Sequence, residues 1–398
     1  MRLRRVQLTT LLIALIGLLG CSSDESTTHV DQNASVQGEH IHPQMERFPH
    51  ADVTPQSIAD AEACDMSSVP TALERLESHL AGDDVRHALH RIPANVPEDR
   101  TVRVASLSED LVLILTTRPG LEELNAYHLP SDSAFQVADR GQGPGELLFP
   151  TDLAVQDLKL HVSMGDRRIS TFHCEDASCA HRQDVRTEFQ PTRITVDGDH
   201  FATTGMLPLQ GETGLSTLTG AIHRVDTTGA FIESFGEAYQ TDAWMINERF
   251  TRHGDLTTFS DGSHAVEYDI IPRLYLYDPD DALSHVLEID NFKQGTFSYE
   301  NGTRSVMEDD AFSRILQLHA VGDRLAFMTV LTQRERSSET ATNHTYDHYV
   351  VGTNPFCVSQ LGKEDTADGA QSGQWVPTDH HLLRIEDGSV YLANLDGR

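Results

Sequence analysis

The stretch ADRGQGPGELLFPTDLAV, residues 138–155, sets glycines at positions 141, 143 and 145. Glycine-rich loops of this kind cradle phosphates, because backbone N–H groups converge on the anion. A dinucleotide loop, however, needs a further glycine where Glu146 stands and a helix after it. Pro144 removes a backbone N–H that such a loop would use, and Pro150 and a strand-like run follow. Gly141, Gly143, Pro144, Gly145 and Glu146 therefore read as a turn connecting two strands. The run DPDD, residues 278–281, carries carboxylates that suit Ca2+, but an Asp-Pro turn accounts for the same residues. His29, His40 and His42 have metal-ligand chemistry; they fall in a polar stretch and are read as part of it. His380 and His381 are expected on a strand surface. No Gly-x-Ser-x-Gly, HExxH or EF-hand loop occurs, so no catalytic residue is assigned. The sequons at Asn301 and Asn343 are read as chance matches.

The elements available to position functional side chains are strands. Six segments share one form, an alternating strand, a tight turn with Asp and a second apolar strand. They are VRVASLSEDLVLILTT, TDLAVQDLKLHVSMGD, TRITVDGDHFATTG, ERFTRHGDLTTFSDG, LQLHAVGDRLAFMTV and HLLRIEDGSVYLANL. Their turn aspartates are read as Asp110, Asp157, Asp199, Asp255, Asp323 and Asp387; Asp in a turn accepts from backbone N–H groups two residues on. Most copies are followed by a second pair of strands. Four antiparallel strands repeated in this way predict a β-propeller blade. The expected fold is all-β, a six-bladed β-propeller over residues 85–398. The sixth copy, so read, supplies two strands, and residues 84–95, DVRHALHRIPAN, are expected to complete it and close the ring. A β-sandwich array would explain neither the repeat nor the incomplete copy.

A short helical segment is expected over residues 67–84, with Pro70 in its first turn, Leu73, Leu76 and Leu80 on one face and Gly82 ending it. The blades are interrupted at residues 207–219, 293–310, 332–347 and 362–375. Long loops on a rigid ring are where binding usually resides. Phe297, Tyr299 and Arg304 in the second of them are the binding candidates, being residue types favoured at interaction hot spots.

The chain opens with Arg2, Arg4 and Arg5, then an apolar run over residues 8–19 too short to span a bilayer. Leu18-Leu19-Gly20-Cys21 resembles the lipobox of bacterial lipoproteins. The resemblance implies cleavage between Gly20 and Cys21, and a diacylglycerol thioether on Cys21, an anchor strong enough to hold the protein on a membrane. Ser22 and Ser23 then imply the outer membrane of a bacterial cell envelope. Residues 1–20 are thus expected to be a signal peptide and residues 21–66 a lipidated N-terminus and flexible tether. The opening stretch carries a second resemblance. Gly141-Gln142-Gly143-Pro144-Gly145-Glu146, Phe149-Pro150 and Leu153-Ala154-Val155, followed by Val162, Asp166, Arg168, Ile169 and Phe172, resemble bacterial six-bladed propeller lipoproteins related to NHL-repeat proteins. Arg167 stands where that family has Asn. The resemblance speaks for the fold and not for any chemistry.

The formal net charge is −31 over 398 residues, and Lys159, Lys293 and Lys363 are the only lysines. So acidic a chain repels nucleic acid and, through self-repulsion, is expected to be a monomer. Apart from Cys21, four cysteines remain, an even number in a chain expected to be exported. Cys174 and Cys179 bracket EDAS and are expected to clamp a hairpin; Cys64 and Cys357 would staple the N-terminal segment to the ring. With no CxxC, a metal site on these cysteines is disfavoured. The expected function is a membrane-anchored extracytoplasmic scaffold that binds a protein, peptide or glycan, with no cofactor. The alternative is a propeller hydrolase or lactonase with Ca2+ or another divalent metal in its channel, whose ligands would come from several blades and leave no linear motif. A redox quinoprotein would need more tryptophan than Trp244 and Trp375.

Overall fold

A computed structural model describes residues 46–47, 49–66, 69–81, 89–92, 102–175, 177–206, 220–238, 240–241, 254–269, 271–294, 296–300, 303–307, 311–335, 342–366, 374–386 and 389–393. Gly20, Cys21, the three tether histidines, Gly82 and Asp387 lie outside them. The chain is an all-β, six-bladed propeller of four-stranded antiparallel blades, with a single short α-helix among the described residues.

The N-terminal part contributes β1 (Glu46–Arg47), β2 (Gln56–Ser57), helix α1 (Thr71–Leu80) and β3 (Leu89–Ile92). Blade 1 is β4 (Val102–Ser108), β5 (Leu111–Thr116), β6 (Glu123–His128) and β7 (Ser133–Asp139). Blade 2 is β8 (Pro150–Gln156), β9 (Lys159–Met164), β10 (Arg168–Glu175) and β11 (Ser178–Arg186). Blade 3 is β12 (Gln190–Asp197), β13 (His200–Met206), β14 (Ile222–Asp226) and β15 (Phe231–Phe235), followed by the short β16 (Gln240–Thr241). Blade 4 is β17 (Leu256–Thr258), β18 (His264–Glu267), β19 (Arg273–Tyr277) and β20 (Leu283–Glu288), followed by a hairpin of β21 (Thr296–Glu300) and β22 (Thr303–Met307). Blade 5 is β23 (Ala311–Val321), β24 (Leu325–Glu335), β25 (Thr342–Thr353) and β26 (Phe356–Thr366). Blade 6 takes β27 (Gln374–Pro377), β28 (Leu382–Glu386) and β29 (Ser389–Ala393) from the C-terminal side and β3 as its outer strand.

The core is divided among the six interfaces between neighbouring blades. Leu113 and Leu115 meet Leu160 and Val162 between blades 1 and 2. Ile169 meets Phe201 between blades 2 and 3, and Ile222 meets Tyr275 between blades 3 and 4. Leu276 meets Met328 between blades 4 and 5, Phe327 meets Trp375 between blades 5 and 6, and Val390 meets Ile114 where the ring closes. A middle strand is apolar on both faces because a sheet covers each, and every residue of β5 is buried.

Two blades are phased differently from the sequence reading. In blade 4 the turn between the first two strands is residues 259–263, so its aspartate is Asp261, whose carboxylate accepts from Ser263 N at 3.0 Å. Asp255 is not in a turn; it precedes the inner strand and is buried. In blade 6 the inner strand is Gln374–Pro377, whose first two residues fall in the expected 362–375 insertion, and LLRIEDGSVYLA supplies the second and third strands. One donated strand therefore closes the ring, β3, within the segment expected to do so.

The tether expectation also needs correction from residue 46 onward. There the chain is a strap on the outside of the ring. β1 pairs with β16, and β2 adds in parallel to the outer edge of β20. The Ser57 hydroxyl and Ala59 N both donate to the Asp290 carboxylate, at 2.7 and 2.9 Å. Val358 N donates to Glu62 O at 2.8 Å, and Cys64 is disulfide-bonded to Cys357. α1 follows Pro70 and buries Ala72, Leu73 and Leu76 against blades 5 and 6. Glu74 in its first turn and His79 in its last suit the helix dipole.

Candidate functional site

The inner strands β4, β8, β12, β17, β23 and β27 run side by side in one direction around a channel. Antiparallel pairing then fixes where every connection emerges. Links from the second to the third strand, and from one blade to the next, lie on one face, here the connector face. Turns between first and second, and between third and fourth, strands lie on the other, the turn face. The described turns within blades on the turn face are at most five residues long, the length at 259–263 and 278–282. On the connector face the chain leaves β13 at Met206 and returns at Ile222, and it leaves β20 at Glu288 and reaches β23 at Ala311. The arms of β24 and β25, 11 and 12 residues long, also extend toward that face. All four expected insertions thus share one face, and three are partly strand: β21–β22 within 293–310, the blade 5 arms within 332–347, and the end of β26 and start of β27 within 362–375. Phe297, Tyr299 and Arg304 fall on the β21–β22 hairpin, with Tyr299 opposite Arg304 in register; the placement of their side chains lies outside the described residues.

The Gly141–Glu146 turn is on the connector face and joins β7 to β8. Glu146 folds its carboxylate back to accept from Gly143 N at 2.6 Å. Arg168 from β10 donates to the carbonyls of Gly143 and Glu146 at 3.0 and 2.9 Å. Gly145 has φ +74°, and a Cβ there would lie 2.8 Å from the His181 ring. The turn's own N–H is occupied by a carboxylate of the same loop, which leaves it a connector.

The channel encloses about 890 Å³. Strand alternation turns one charged residue near the start of each of three inner strands toward it: Arg103, Asp152 and Arg193. They meet Asp255 from blade 4. Arg103 Nη2 lies 3.3 Å from Asp255 Oδ1, and Arg103 Nε lies 3.6 Å from Asp152 Oδ1. Arg193 Nε donates to Asp255 Oδ1. Asp255 Oδ2 accepts from Leu318 N of blade 5 at 3.1 Å, and Asp255 N donates to Glu267 Oε1 at 2.8 Å. Asp152 Oδ2 accepts from Ile194 N at 3.1 Å. One carboxylate therefore holds groups from blades 1, 3 and 5 while sitting in blade 4.

The electrostatics follow from burial. Desolvation alone would raise Asp255, but Arg193 and Arg103 outweigh it and hold the carboxyl below its ordinary range. Burial raises Asp152 despite the same two arginines. Burial, then the Asp255 and Asp269 charges, push Glu267 well above the usual carboxylate range. His319 is lowered by burial and bonds Pro377 O at 2.6 Å. Gln317 donates to Trp375 O at 2.6 Å and accepts from Gln374 at 2.7 Å.

Such a channel offers charge and amide groups for recognition. Among the described residues no three His, Cys, Asp or Glu side chains gather as a metal site, and Asp152 and Asp255 already face arginine. The DPDD run is a turn: Asp278 Oδ1 accepts from Asp280 N and Ala282 N at 2.9 Å each, and Asp281 pairs with Arg224 at 2.7 Å. His381 is buried, not on a strand surface; residues 378–381 form the turn of blade 6, with the Thr378 hydroxyl accepting from His381 N at 2.9 Å. Cys174 and Cys179 are disulfide-bonded across the β10–β11 pair.

No family model and no curated protein matches the chain. Among solved structures it is similar to a putative exported protein from Bacteroides fragilis, at TM-score 0.45 and 9% identity over 74% of this chain and 82% of that one. It is also similar to a duf4221 family member from Bacteroides vulgatus, at 0.44 and 7% over 76% and 94%, and to a streptogramin B lyase, at 0.43 and 9% over 76% and 96%. At these values no ligand or activity is carried across.

Proposed function

We propose that this chain is an extracytoplasmic, lipid-anchored binding scaffold whose connector face takes a protein, peptide or glycan. The observation that carries the reading is the asymmetry of the two faces: the long links that interrupt the blades all emerge on one, while the described turns within blades on the other are at most five residues long. A rigid ring that elaborates a single face presents that face for recognition. The two disulfides suit an oxidising compartment, and the Leu18–Cys21 run supplies the anchor. The channel opens among these links, and its ionic cluster stiffens the platform.

Two experiments test the parts separately. Cys21→Ala should move the protein from the membrane to the soluble fraction; retention on the membrane would refute the anchor. A photo-crosslinking residue placed in turn at 299 and 304 on the connector face, and at 157 and 323 on the turn face, should trap an envelope component from the first pair alone. Equal adducts from both faces, or adducts from the turn face alone, would overturn the assignment.

A further inference from the structure

We propose that the cleft between blades 2 and 3 on the turn face is a binding site for a small organic carboxylate with a flat apolar body. It is independent of the connector-face reading, since it opens on the opposite side of the ring. The cleft measures about 390 Å³, and its lining includes Lys159, His161, His173, Arg182, Phe201 and Thr227.

Strand register builds it. Lys159 and His161 alternate onto one face of β9. In β10, His173 lies opposite Lys159 and Thr171 opposite His161, so four side chains form one patch. Phe201 from β13 closes it, edge-on to the His161 ring with centroids 4.8 Å apart. Thr227 in the β14–β15 turn borders it.

The charge is what singles the cleft out. In a chain of net charge −31 with three lysines, its lining includes a lysine, an arginine and two histidines, and no Asp or Glu. Among the described residues neither Lys159 nor Arg182 has an ion-pair partner, whereas Arg103, Arg168, Arg193 and Arg224 are all paired. His161 is buried, and its Nδ1 lies 3.0 Å from the Thr171 hydroxyl. With that hydroxyl donating, Nε2–H remains as a donor for a ligand; it has no protein partner among the described residues. Burial and the neighbouring Lys159 keep the imidazole neutral.

The ligand class follows from size and lining. The volume far exceeds an inorganic oxyanion. The Phe201 ring and the imidazole edge suit an aromatic body, held edge-to-face. Lys159 and Arg182 are exposed at the mouth, where a carboxylate would meet them.

The test is calorimetric titration of the full-length protein with 2-naphthoate, naphthalene-2-carboxamide and inorganic phosphate. Naphthoate should bind saturably at one site, the neutral carboxamide about tenfold more weakly, as the loss of a charge-assisted bond implies, and phosphate should not displace it. Lys159→Gln and Arg182→Gln should each weaken naphthoate about tenfold, with melting temperature unchanged; Lys363→Gln, on blade 5, should leave it unchanged. Equal affinity for acid and carboxamide, full affinity in both cleft variants, or no saturation at millimolar naphthoate would overturn the proposal.

Discussion

Asp255 carries more of the ring than any other single side chain in the channel. It compensates Arg193 and Arg103 and accepts from the backbone of blade 5. Asp255→Asn leaves two arginines short of a counter-charge in a buried place, which typically costs about 3–5 kcal/mol; the urea midpoint should fall accordingly. Histidines set the response to acid. Burial lowers His161, His223 and His348 from 6.5 to about 4 each, with Lys159 adding to the first and His79 to the last. Between those values these three sites bind more protons in the unfolded chain than in the folded one, so their contribution to stability falls as pH drops from 6.5 toward 4. His223 bonds Gly205 O at 2.9 Å through Nε2. His223→Gln keeps a donor near that position and removes the titration, so denaturant midpoints measured from pH 7 to 4 should show a shallower loss. At this scale the sequence held a signal that was easy to pass over. Arg103, Asp152 and Arg193 each stand near the start of an inner strand of the ring, where a buried charge needs a partner. Asp255 was hidden because Gly-Asp before an apolar run has the same form in a turn as at the mouth of a strand.

At the scale of elements, the blades were legible because the two-strand period and the turn residues recur. Their phase was not. The inner strands of blades 4 and 6 are only three and four residues long, too short for alternation to mark, and the hairpin of second and third strands has the same pattern as that of first and second. Helix α1 was legible from Pro70 and its leucine spacing. The strap was not, because β1 and β2 are two residues each and their partners lie across the ring. Close approach gives an element-scale prediction. A Cβ at Gly254 would lie 1.9 Å from Glu267 O, a backbone atom that cannot swing aside. Gly254→Ala should therefore cost about 3 kcal/mol or more through overpacking. A Cβ at Gly141 would meet only the Glu146 side chain, so Gly141→Ala should cost less; parallel urea denaturation compares the two.

For the whole molecule, the disulfides differ in what they close. Cys64–Cys357 spans 293 residues and Cys174–Cys179 spans 5. Loop-closure entropy makes the first worth about 5–6 kcal/mol and the second about 2 kcal/mol. Cys64→Ser with Cys357→Ser should lower the denaturation midpoint well below that of the Cys174/Cys179 double variant, and the gap should vanish when both are measured in reductant. The long bridge also decides how the ring answers to a pull. Tension drawn along the chain from its N-terminal side meets β1, then β2, then a covalent bond into blade 5. Helix α1 and the closing strand β3 lie beyond that bond, and the load never reaches them. With Cys64 and Cys357 reduced, the same tension would run on to β3 and unzip blade 6 from its outer edge. In a single-molecule pulling experiment the oxidised protein should yield only its first short strands, and the reduced protein should open as a ring.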